Sequence, residues 1–210
     1  MKVTTLTYND EFAANTHIVY LTDKDVIAFD CGQSSKTFVN YIANHNLNLK
    51  AIFLTHGHFD HIRGLDFIDE SIPVYIALDD LELLDDPYKN CSSEFEDKVS
   101  IKRKVFTLSD EEVVNIDGID IQIFFTPFHT LGSSVYLVNK EVLITGDTLF
   151  KSVIGRCDLP TSKARLVDSS LKRIIKIYHQ YGDMPVYPGH GDNTTLAREV
   201  EKNFYLRNIR

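Results

Sequence analysis

Residues 55–64 constrain the fold most strongly, because their sequence, Thr-His-Gly-His-Phe-Asp-His-Ile-Arg-Gly, places three histidines and an aspartate within six positions. They directly follow an apolar run, Ala-Ile-Phe-Leu. His56 and His58 are two residues apart, so their side chains point the same way on an extended backbone and diverge on a helix. Asp60 and His61 lie where a short helix can begin, since apolar residues spaced by three follow them. We therefore expect a strand end and loop that present ligand-type side chains.

This cluster predicts a metal site. A polar loop with chance histidines is the plainer interpretation, but it would leave several imidazoles desolvated or repelling one another unless a cation neutralised them. Imidazole nitrogens with one carboxylate suit zinc first, and then iron or manganese. Gly57 is expected to let the backbone bend tightly between two coordinating imidazoles.

Composition narrows the class of protein. The chain has 210 residues, enough for one domain with a sizeable core, and we expect a single domain over residues 1–210. Its net charge of −8 argues against nucleic acid or an anionic membrane as a partner. It has no apolar run of signal-peptide or membrane-span length, so a cytoplasmic location is expected. Three cysteines far apart predict free thiols.

Apolar runs and turn residues predict a strand-rich chain with helices between the strands. In the first half we expect strands at 16–21, 26–29, 51–54 and 72–76 and a helix at 35–44. In the second half we expect strands at 113–116, 119–126, 135–138, 141–145 and 184–187 and helices at 163–181 and 195–207. Residues 78–104 are rich in charge and predict a solvated helical insertion, with a lid over the site as the alternative.

Three more ligand-type residues follow predicted strands, namely His129, Asp147 and His190. Sites are commonly assembled at strand ends and their loops, where the sheet is a rigid support. Taken alone, Asp147 and His190 are each typical of a turn, because glycines adjoin them. Their recurrence after separate strands favours the interpretation as ligands.

The seven ligand-type side chains can be divided between two metal ions. One ion takes His56, His58 and His129, the other takes Asp60, His61 and His190, and Asp147 bridges them. A pair of ions about 3.5–4 Å apart lowers the pKa of bound water to about 7, which supplies hydroxide at neutral pH. We therefore expect a hydrolase with two divalent metal ions, zinc first and iron or manganese next.

These motifs resemble those of the metallo-β-lactamase-fold hydrolases, and within them the short glyoxalase-II-like members. The matching pieces cover residues 15–206 and are 55–61, 126–133, 146–150, 155–160 and 188–191, followed by Thr194, Thr195 and Glu199. The resemblance implies an α+β fold, a four-layer αββα sandwich with the metals at one edge between two sheets. Members that act on β-lactams typically lack a bridging aspartate at the position of Asp147.

The resemblance also implies a reaction. It is hydrolysis of a small-molecule thioester, an S-2-hydroxyacyl thiol such as S-lactoylglutathione, by a hydroxide shared between the two ions. Asp60 is expected to orient that nucleophile or handle its proton. Arg156 matches a basic residue that contacts the carboxylate of the thiol cofactor, and the alternative is a structural pair with Asp158.

Two further expectations follow from the same motifs. Phe128 and Leu131 replace a glycine and a proline that the family usually has beside His129, so substrate access is expected to differ there. The alternative function is a mono-iron persulfide dioxygenase, in which His56, His129 and Asp147 form a two-histidine, one-carboxylate face. The sequence leaves the oligomeric state open.

Overall fold

The computed structural model describes residues 1–8, 12, 14–33, 36–96 and 98–209. The chain divides into two units, Met1–Leu108 and Ser109–Arg210. Each unit contains a six-stranded sheet and helices of its own. That residues 1–210 form a single domain stays a prediction.

The sheet of the first unit follows chain order, β1-β2-β3-β4-β5-β6. Its strands are Val3–Leu6 (β1), Thr16–Tyr20 (β2), Asp25–Phe29 (β3), Asn48–Phe53 (β4), Val74–Ala77 (β5) and Phe106–Leu108 (β6). The first three pair antiparallel, and β3 to β6 pair parallel. Parallel neighbours need crossovers, here the helix Thr37–Asn44 (α1), the one-turn helix Phe59–Ile62 (α2) and two 3₁₀ helices, Arg63–Phe67 and Leu78–Leu84.

Burial explains why β3 and β4 read as apolar runs. Residues 26–29 and 51–53 are fully buried, which is typical of parallel strands covered on both faces. Both predicted strands are therefore confirmed, with shifts of one to three residues at their ends. The predicted helix at 35–44 is observed as α1, and its expected first residue, Ser35, lies outside the described residues.

Four aromatic rings form a ladder across β3, β4, β5 and β6. Phe29 pairs with Phe53, Phe53 with Tyr75, and Tyr75 with Phe106 in the strand register. Their ring centroids are 5.5, 4.7 and 5.3 Å apart in that order, and all three pairs are stacked. Cross-strand aromatic pairs stabilise a sheet by about 0.2–1 kcal/mol each. The ladder therefore ties the buried strand β3 to the edge strand β6.

The sheet of the second unit has the order β12-β11-β10-β9-β8-β7. Its strands are Val113–Ile116 (β7), Ile119–Phe125 (β8), Ser134–Val138 (β9), Val142–Gly146 (β10), Pro185–Pro188 (β11) and Thr194–Thr195 (β12). Strands β7 to β10 pair antiparallel, as the predicted run of hairpins requires. Strand β11 pairs parallel with β10, and the crossover is the 15-residue helix Val167–Tyr181 (α3).

Helix α3 packs its apolar stripe on this sheet. Leu171, Ile174 and Ile177 are buried in one cluster with residues of β9, β10 and β11. The helix ends at Gly182, whose φ of 81° places it in the left-handed region that glycine tolerates best. The predicted amphipathic helix and its glycine end are confirmed.

The predicted single helix at 195–207 is wrong. The structure has two helices, Leu196–Lys202 (α4) and Phe204–Arg207 (α5). Asn203 separates them with φ −69° and ψ 121°, and its side chain accepts a hydrogen bond from the backbone N–H of Tyr205. Asparagine favours helix starts because its short side chain can cap the first backbone N–H groups. Apolar spacing alone does not reveal such a cap.

The predicted helical insertion at 78–104 is only partly observed. The 3₁₀ helix Leu78–Leu84 is followed mainly by turns. The carboxylate of Asp86 accepts hydrogen bonds from the N–H groups of Tyr88 and Lys89, which favours a turn over a helix. The segment is also less solvated than expected, since Asp80 and Asn90 are fully buried.

The fold class is α+β, as predicted, with one mixed sheet and helices in each unit. All helices among the described residues are too short or too polar to span a bilayer.

Glu199 is a buried carboxylate that holds the end of the second unit together. It accepts hydrogen bonds from the Ser152 N–H at 2.7 Å, from the Thr194 hydroxyl at 2.7 Å and from the Asn203 amide at 3.1 Å. Arg198 contacts it as well. Burial alone would raise the pKa of Glu199, but these bonds outweigh it and hold the pKa below the usual 4.5.

We expect Glu199→Gln to lower the free energy of unfolding by about 2–3 kcal/mol at pH 7, since charge-assisted hydrogen bonds are lost. A lowered pKa means that this stabilisation is present above the usual pKa of 4.5 and is lost as pH falls through the lower, folded value. The difference between parent and variant should therefore shrink in acid. Denaturant unfolding from pH 7 to pH 3 measures it, with the exposed Glu201→Gln on α4 as control. A constant difference across that range would contradict the prediction.

Candidate metal centre

The first two predicted ligands lie on the loop between β4 and α2, and both are buried. Nε2 of His56 lies 3.0 Å from Nδ1 of His58, and the two rings are nearly perpendicular at 85°. In a tetrahedral zinc site with bonds of about 2.0–2.1 Å, two ligand nitrogens are about 3.3 Å apart. The 3.0 Å distance, which is also that of a hydrogen bond, is close to this spacing and fits the predicted role of His56 and His58 as ligands of one ion. That role stays a prediction.

Gly57 allows this arrangement for a reason that differs from the expected one. The sequence predicts a tight backbone bend, but the backbone of Gly57 is not in the left-handed region. A Cβ atom at this position would lie 2.5 Å from Cβ of Leu83. Glycine is needed because the 3₁₀ helix Leu78–Leu84 packs directly on the loop.

Asp60 and His61 lie on α2, where the sequence places a helix start. Nε2 of His61 is 3.8 Å from Oδ2 of Asp60, so both side chains present donors to the same space. His61 is fully buried, whereas the Asp60 side chain is 16% exposed. Asp60 is therefore the residue of this pair whose side chain can also reach a substrate or water.

Asp30 is a functional residue that the sequence interpretation missed. Its buried carboxylate accepts hydrogen bonds from the N–H and hydroxyl of Thr55, at 2.7 and 2.8 Å, and from Nδ1 of His61 at 2.8 Å. Because an ionised carboxylate only accepts hydrogen bonds, Nδ1 of His61 carries the proton. Nε2 of His61 then keeps its lone pair for a metal. The available signal was an aspartate directly after the buried strand β3.

Asp30 also sets the tautomer of His56 through Thr55. The Thr55 hydroxyl gives its hydrogen to Asp30, so it accepts from Nδ1 of His56 at 3.1 Å. Nε2 of His56, the atom that faces His58, therefore keeps its lone pair. One carboxylate thus prepares two imidazoles for metal binding.

The second unit brings its three predicted ligands together around Asp147. Nε2 of His129 is 3.3 Å and Nε2 of His190 is 3.8 Å from Oδ2 of this carboxylate. Nδ1 of His129 donates to the backbone carbonyl of Arg156 at 2.8 Å, so its Nε2 keeps the lone pair. A carboxylate between two imidazoles is a donor set that suits zinc, iron or manganese.

Strand ends and a close approach position these side chains. Asp147 directly follows β10, and His190 follows β11, the parallel neighbour of β10. A Cβ atom at Gly155 would lie 2.0 Å from the backbone oxygen of Asp147 and 3.2 Å from Nδ1 of His129. Only glycine therefore fits at this position beside the ligands.

The two residues that depart from the family pattern have different surroundings. Phe128 is fully buried, and its carbonyl accepts the N–H of Lys163 at 2.8 Å. Leu131 is 38% exposed. The expected difference in substrate access stays a prediction for Leu131, whereas Phe128 belongs to the core.

Arg156 forms the structural pair that the sequence offers as an alternative. Its guanidinium donates to both carboxylate oxygens of Asp158, at 2.7 and 3.0 Å, and lowers the pKa of that carboxyl group. Both side chains are exposed. Contact of Arg156 with a thiol cofactor stays a prediction. The contribution of Arg156 to the ligands comes from its backbone carbonyl.

The seven predicted ligands are thus found in two sets, four residues on the first unit and three on the second. Within each set, the imidazole nitrogens and carboxylate oxygens lie next to one another. Hydrogen bonds direct the lone pairs of His56, His61 and His129 toward their neighbouring ligands. Both donor sets fit a divalent metal.

Comparison with known proteins agrees with this chemistry. A family model described as the metallo-beta-lactamase superfamily matches residues 9–206. The chain is 30% identical over 208 residues to a probable metallo-hydrolase of Streptococcus pyogenes, covering 94% of this chain and 87% of that protein. It is 27% identical over 214 residues to the hydroxyacylglutathione hydrolase GloC of Haemophilus influenzae, covering 93% of each.

Solved structures with this fold are similar over nearly the whole chain. BLEG-1, a B3 metallo-beta-lactamase, matches with a TM-score of 0.89 and 31% identity, covering 98% of this chain and 99% of that one. TTHA1623 in a di-iron-bound form matches with a TM-score of 0.79 and 25% identity, covering 98% and 100%. The predicted α+β fold of the metallo-β-lactamase type is confirmed. The chain therefore belongs to the metallo-beta-lactamase superfamily, as a metal-dependent hydrolase.

Proposed function

We propose that the chain is a dinuclear thioester hydrolase that acts on S-2-hydroxyacyl thiols such as S-lactoylglutathione. The observation that carries the proposal is the Asp147 carboxylate, which has the imidazoles of His129 and His190 beside the same oxygen. A carboxylate flanked in this way is suited to bridge two ions. Similarity to GloC, a hydroxyacylglutathione hydrolase, supports the substrate class.

In this proposal the chain binds two divalent ions, most simply zinc, with the ligands divided as the sequence predicts. His56, His58 and His129 would hold one ion, Asp60, His61 and His190 would hold the other, and Asp147 would be shared. When bound, such a pair supplies hydroxide at neutral pH and polarises a carbonyl group. Similarity to TTHA1623, solved in a di-iron-bound form, supports a pair of ions and leaves iron as an alternative to zinc.

The side chains of this protein keep the site ready for that chemistry. Asp30 and Thr55 hold His56 and His61 in the ligand tautomer, so neither ring has to reorient. The partly exposed carboxylate of Asp60 accepts a proton from the attacking water or orients that water. No serine or cysteine nucleophile is required.

Specificity for the thiol carrier is assigned to Arg156. Its guanidinium is exposed and already binds a carboxylate, that of Asp158, through two parallel hydrogen bonds. A carboxylate of the thiol carrier can replace Asp158 with the same geometry.

The alternative is a mono-iron persulfide dioxygenase in which His56, His129 and Asp147 hold one iron. Elemental analysis together with a substrate panel separates the two functions. The panel consists of S-lactoylglutathione, the same acyl group on other thiols, glutathione persulfide with an oxygen electrode, and a chromogenic β-lactam, because BLEG-1 is named a metallo-beta-lactamase.

We expect about two metal ions per chain, hydrolysis of the 2-hydroxyacyl thioester and no oxygen uptake. One iron per chain with oxygen consumption on the persulfide would establish the alternative. Turnover of the β-lactam without turnover of any thioester would contradict both.

Asp147→Asn should reduce metal content and turnover together, because an amide cannot bridge two cations as a carboxylate does. Loss of an outer-shell partner costs about 10–100-fold, so loss of this ligand should lower kcat by at least about 100-fold. Inductively coupled plasma analysis and steady-state kinetics on one preparation measure both. Asp192→Asn, an exposed aspartate paired with Lys151, is the matched control. Normal turnover with full metal content in the variant would remove Asp147 from the site.

Arg156→Gln should raise KM by about 10-fold for thioesters whose thiol carries a carboxylate and leave kcat near that of the parent. Thioesters without that carboxylate should be unaffected. If both substrate types respond equally, Arg156 has only its structural role in the pair with Asp158.

A further inference from the structure

The insertion at residues 78–104 accepts two hydrogen bonds from backbone N–H groups of residues 55–61, the metal-binding loop. The N–H of Gly57 donates to Oδ2 of Asp80 at 2.9 Å. The N–H of Phe59 donates to the backbone oxygen of Asn90, also at 2.9 Å. Nothing in the sequence pattern of the insertion points to this role.

These two bonds act on the backbone that sets the His56 and His58 side chains. His58 lies between the two donors with φ −69° and ψ 150°, an extended conformation. On an extended backbone, residues two apart direct their side chains to one face, as His56 and His58 do. Holding the N–H groups of residues 57 and 59 in place therefore maintains the 3.0 Å approach of the two imidazoles.

The insertion is built as a fixed support. Asp80 and Asn90 are both fully buried. The Asn90 amide donates to the carbonyls of Leu83 and Val99, each at 2.9 Å, and so ties both ends of the segment together. Leu83 also packs where a side chain at Gly57 would lie. These contacts favour a fixed support over the lid that the sequence offers as the alternative.

We propose that Asp80 is a positioning residue that sets the metal affinity of the His56 and His58 pair. The inference concerns metal binding alone and does not depend on which substrate the protein hydrolyses. The Asp80 carboxylate accepts a charge-assisted hydrogen bond from the N–H of Gly57, and such a bond is about twice as strong as a neutral one. Asparagine at this position offers only a neutral acceptor of nearly the same shape.

The chain contains a matched control for this substitution. Asp79 precedes Asp80 on the same 3₁₀ helix, but its side chain is exposed. Asp79→Asn therefore makes the same change of charge at nearly the same place without removing a bond to the loop. Asp80→Glu provides a second test, because it keeps the charge and displaces the oxygen by one methylene.

The measurement is zinc affinity of the full-length apo-protein by competition with a chromophoric chelator. Circular dichroism confirms beforehand that each variant is folded. The visible absorption of the cobalt-substituted protein then reports ligand geometry. We expect Asp80→Asn and Asp80→Glu to weaken zinc binding by about 10–100-fold and to change the cobalt spectrum, and Asp79→Asn to stay within about twofold of the parent.

Two results would overturn the proposal. In the first, a folded Asp80 variant binds zinc as tightly as the parent and only its melting temperature falls, which would make Asp80 purely structural. In the second, Asp79→Asn weakens zinc binding as much as Asp80→Asn, which would assign the effect to net charge. If Asp80→Asn does not fold, the same criteria apply to Asp80→Glu.

Discussion

The hydrogen bonds to the buried carboxylate of Asp30 are the interaction on which the metal-binding loop depends. Parallel neighbours β3 and β4 end at the same edge of the sheet, so Asp30 comes to lie beside Thr55. The backbone of Asp30 is left-handed, with φ 60°, which costs about 1–2 kcal/mol. Three charge-assisted hydrogen bonds offset that cost, and they simultaneously select the tautomers of His56 and His61.

In each unit, a hydrogen bond from one ring nitrogen fixes the orientation of a candidate ligand imidazole. A metal-ligating imidazole almost always donates its other ring N–H to a carboxylate, a backbone carbonyl or water, which fixes the orientation of the ring. The acceptor is the Asp30 carboxylate for His61 and the Arg156 carbonyl for His129. Asp30 directly follows strand β3. Arg156 follows Gly155, which packs closely on Asp147 and His129. The ligand nitrogens are therefore oriented by the fold, with little reorganisation left for the moment of binding.

The candidate ligands could be proposed from sequence because they follow local rules. His56, His58, Asp147 and His190 lie within a few residues of the end of an apolar run, and apolar runs identify strands. The partners of these ligands could not be predicted, because Asp30 meets Thr55 across 25 positions and Asp80 meets Gly57 across 23. No periodicity in the sequence specifies such pairs. They are set by strand register and by the packing of an insertion that reads as surface.

The same distinction holds for the fold. Strand β7 was predicted to the residue because the Asp-Gly turn that follows it fixes the hairpin. The C-terminal helix was predicted as one because Leu196 and Phe204 have helical spacing, whereas the break depends on the cap at Asn203. Apolar periodicity reports which face is buried. It does not report where a polar side chain competes with the backbone hydrogen bonds.

The aromatic ladder of the first sheet passes through Phe53, which lies just before the metal-binding loop. Phe53 is the last residue of β4, and it is stacked on Phe29 on one side and Tyr75 on the other. Strand ends usually fray and exchange their amide hydrogens by local opening. Here that opening would also have to separate two stacks, each worth about 0.2–1 kcal/mol, so fraying at Phe53 costs more than at an ordinary strand end. The backbone that leads into His56 and His58 therefore starts from a strand end that the neighbouring aromatic rings hold in register.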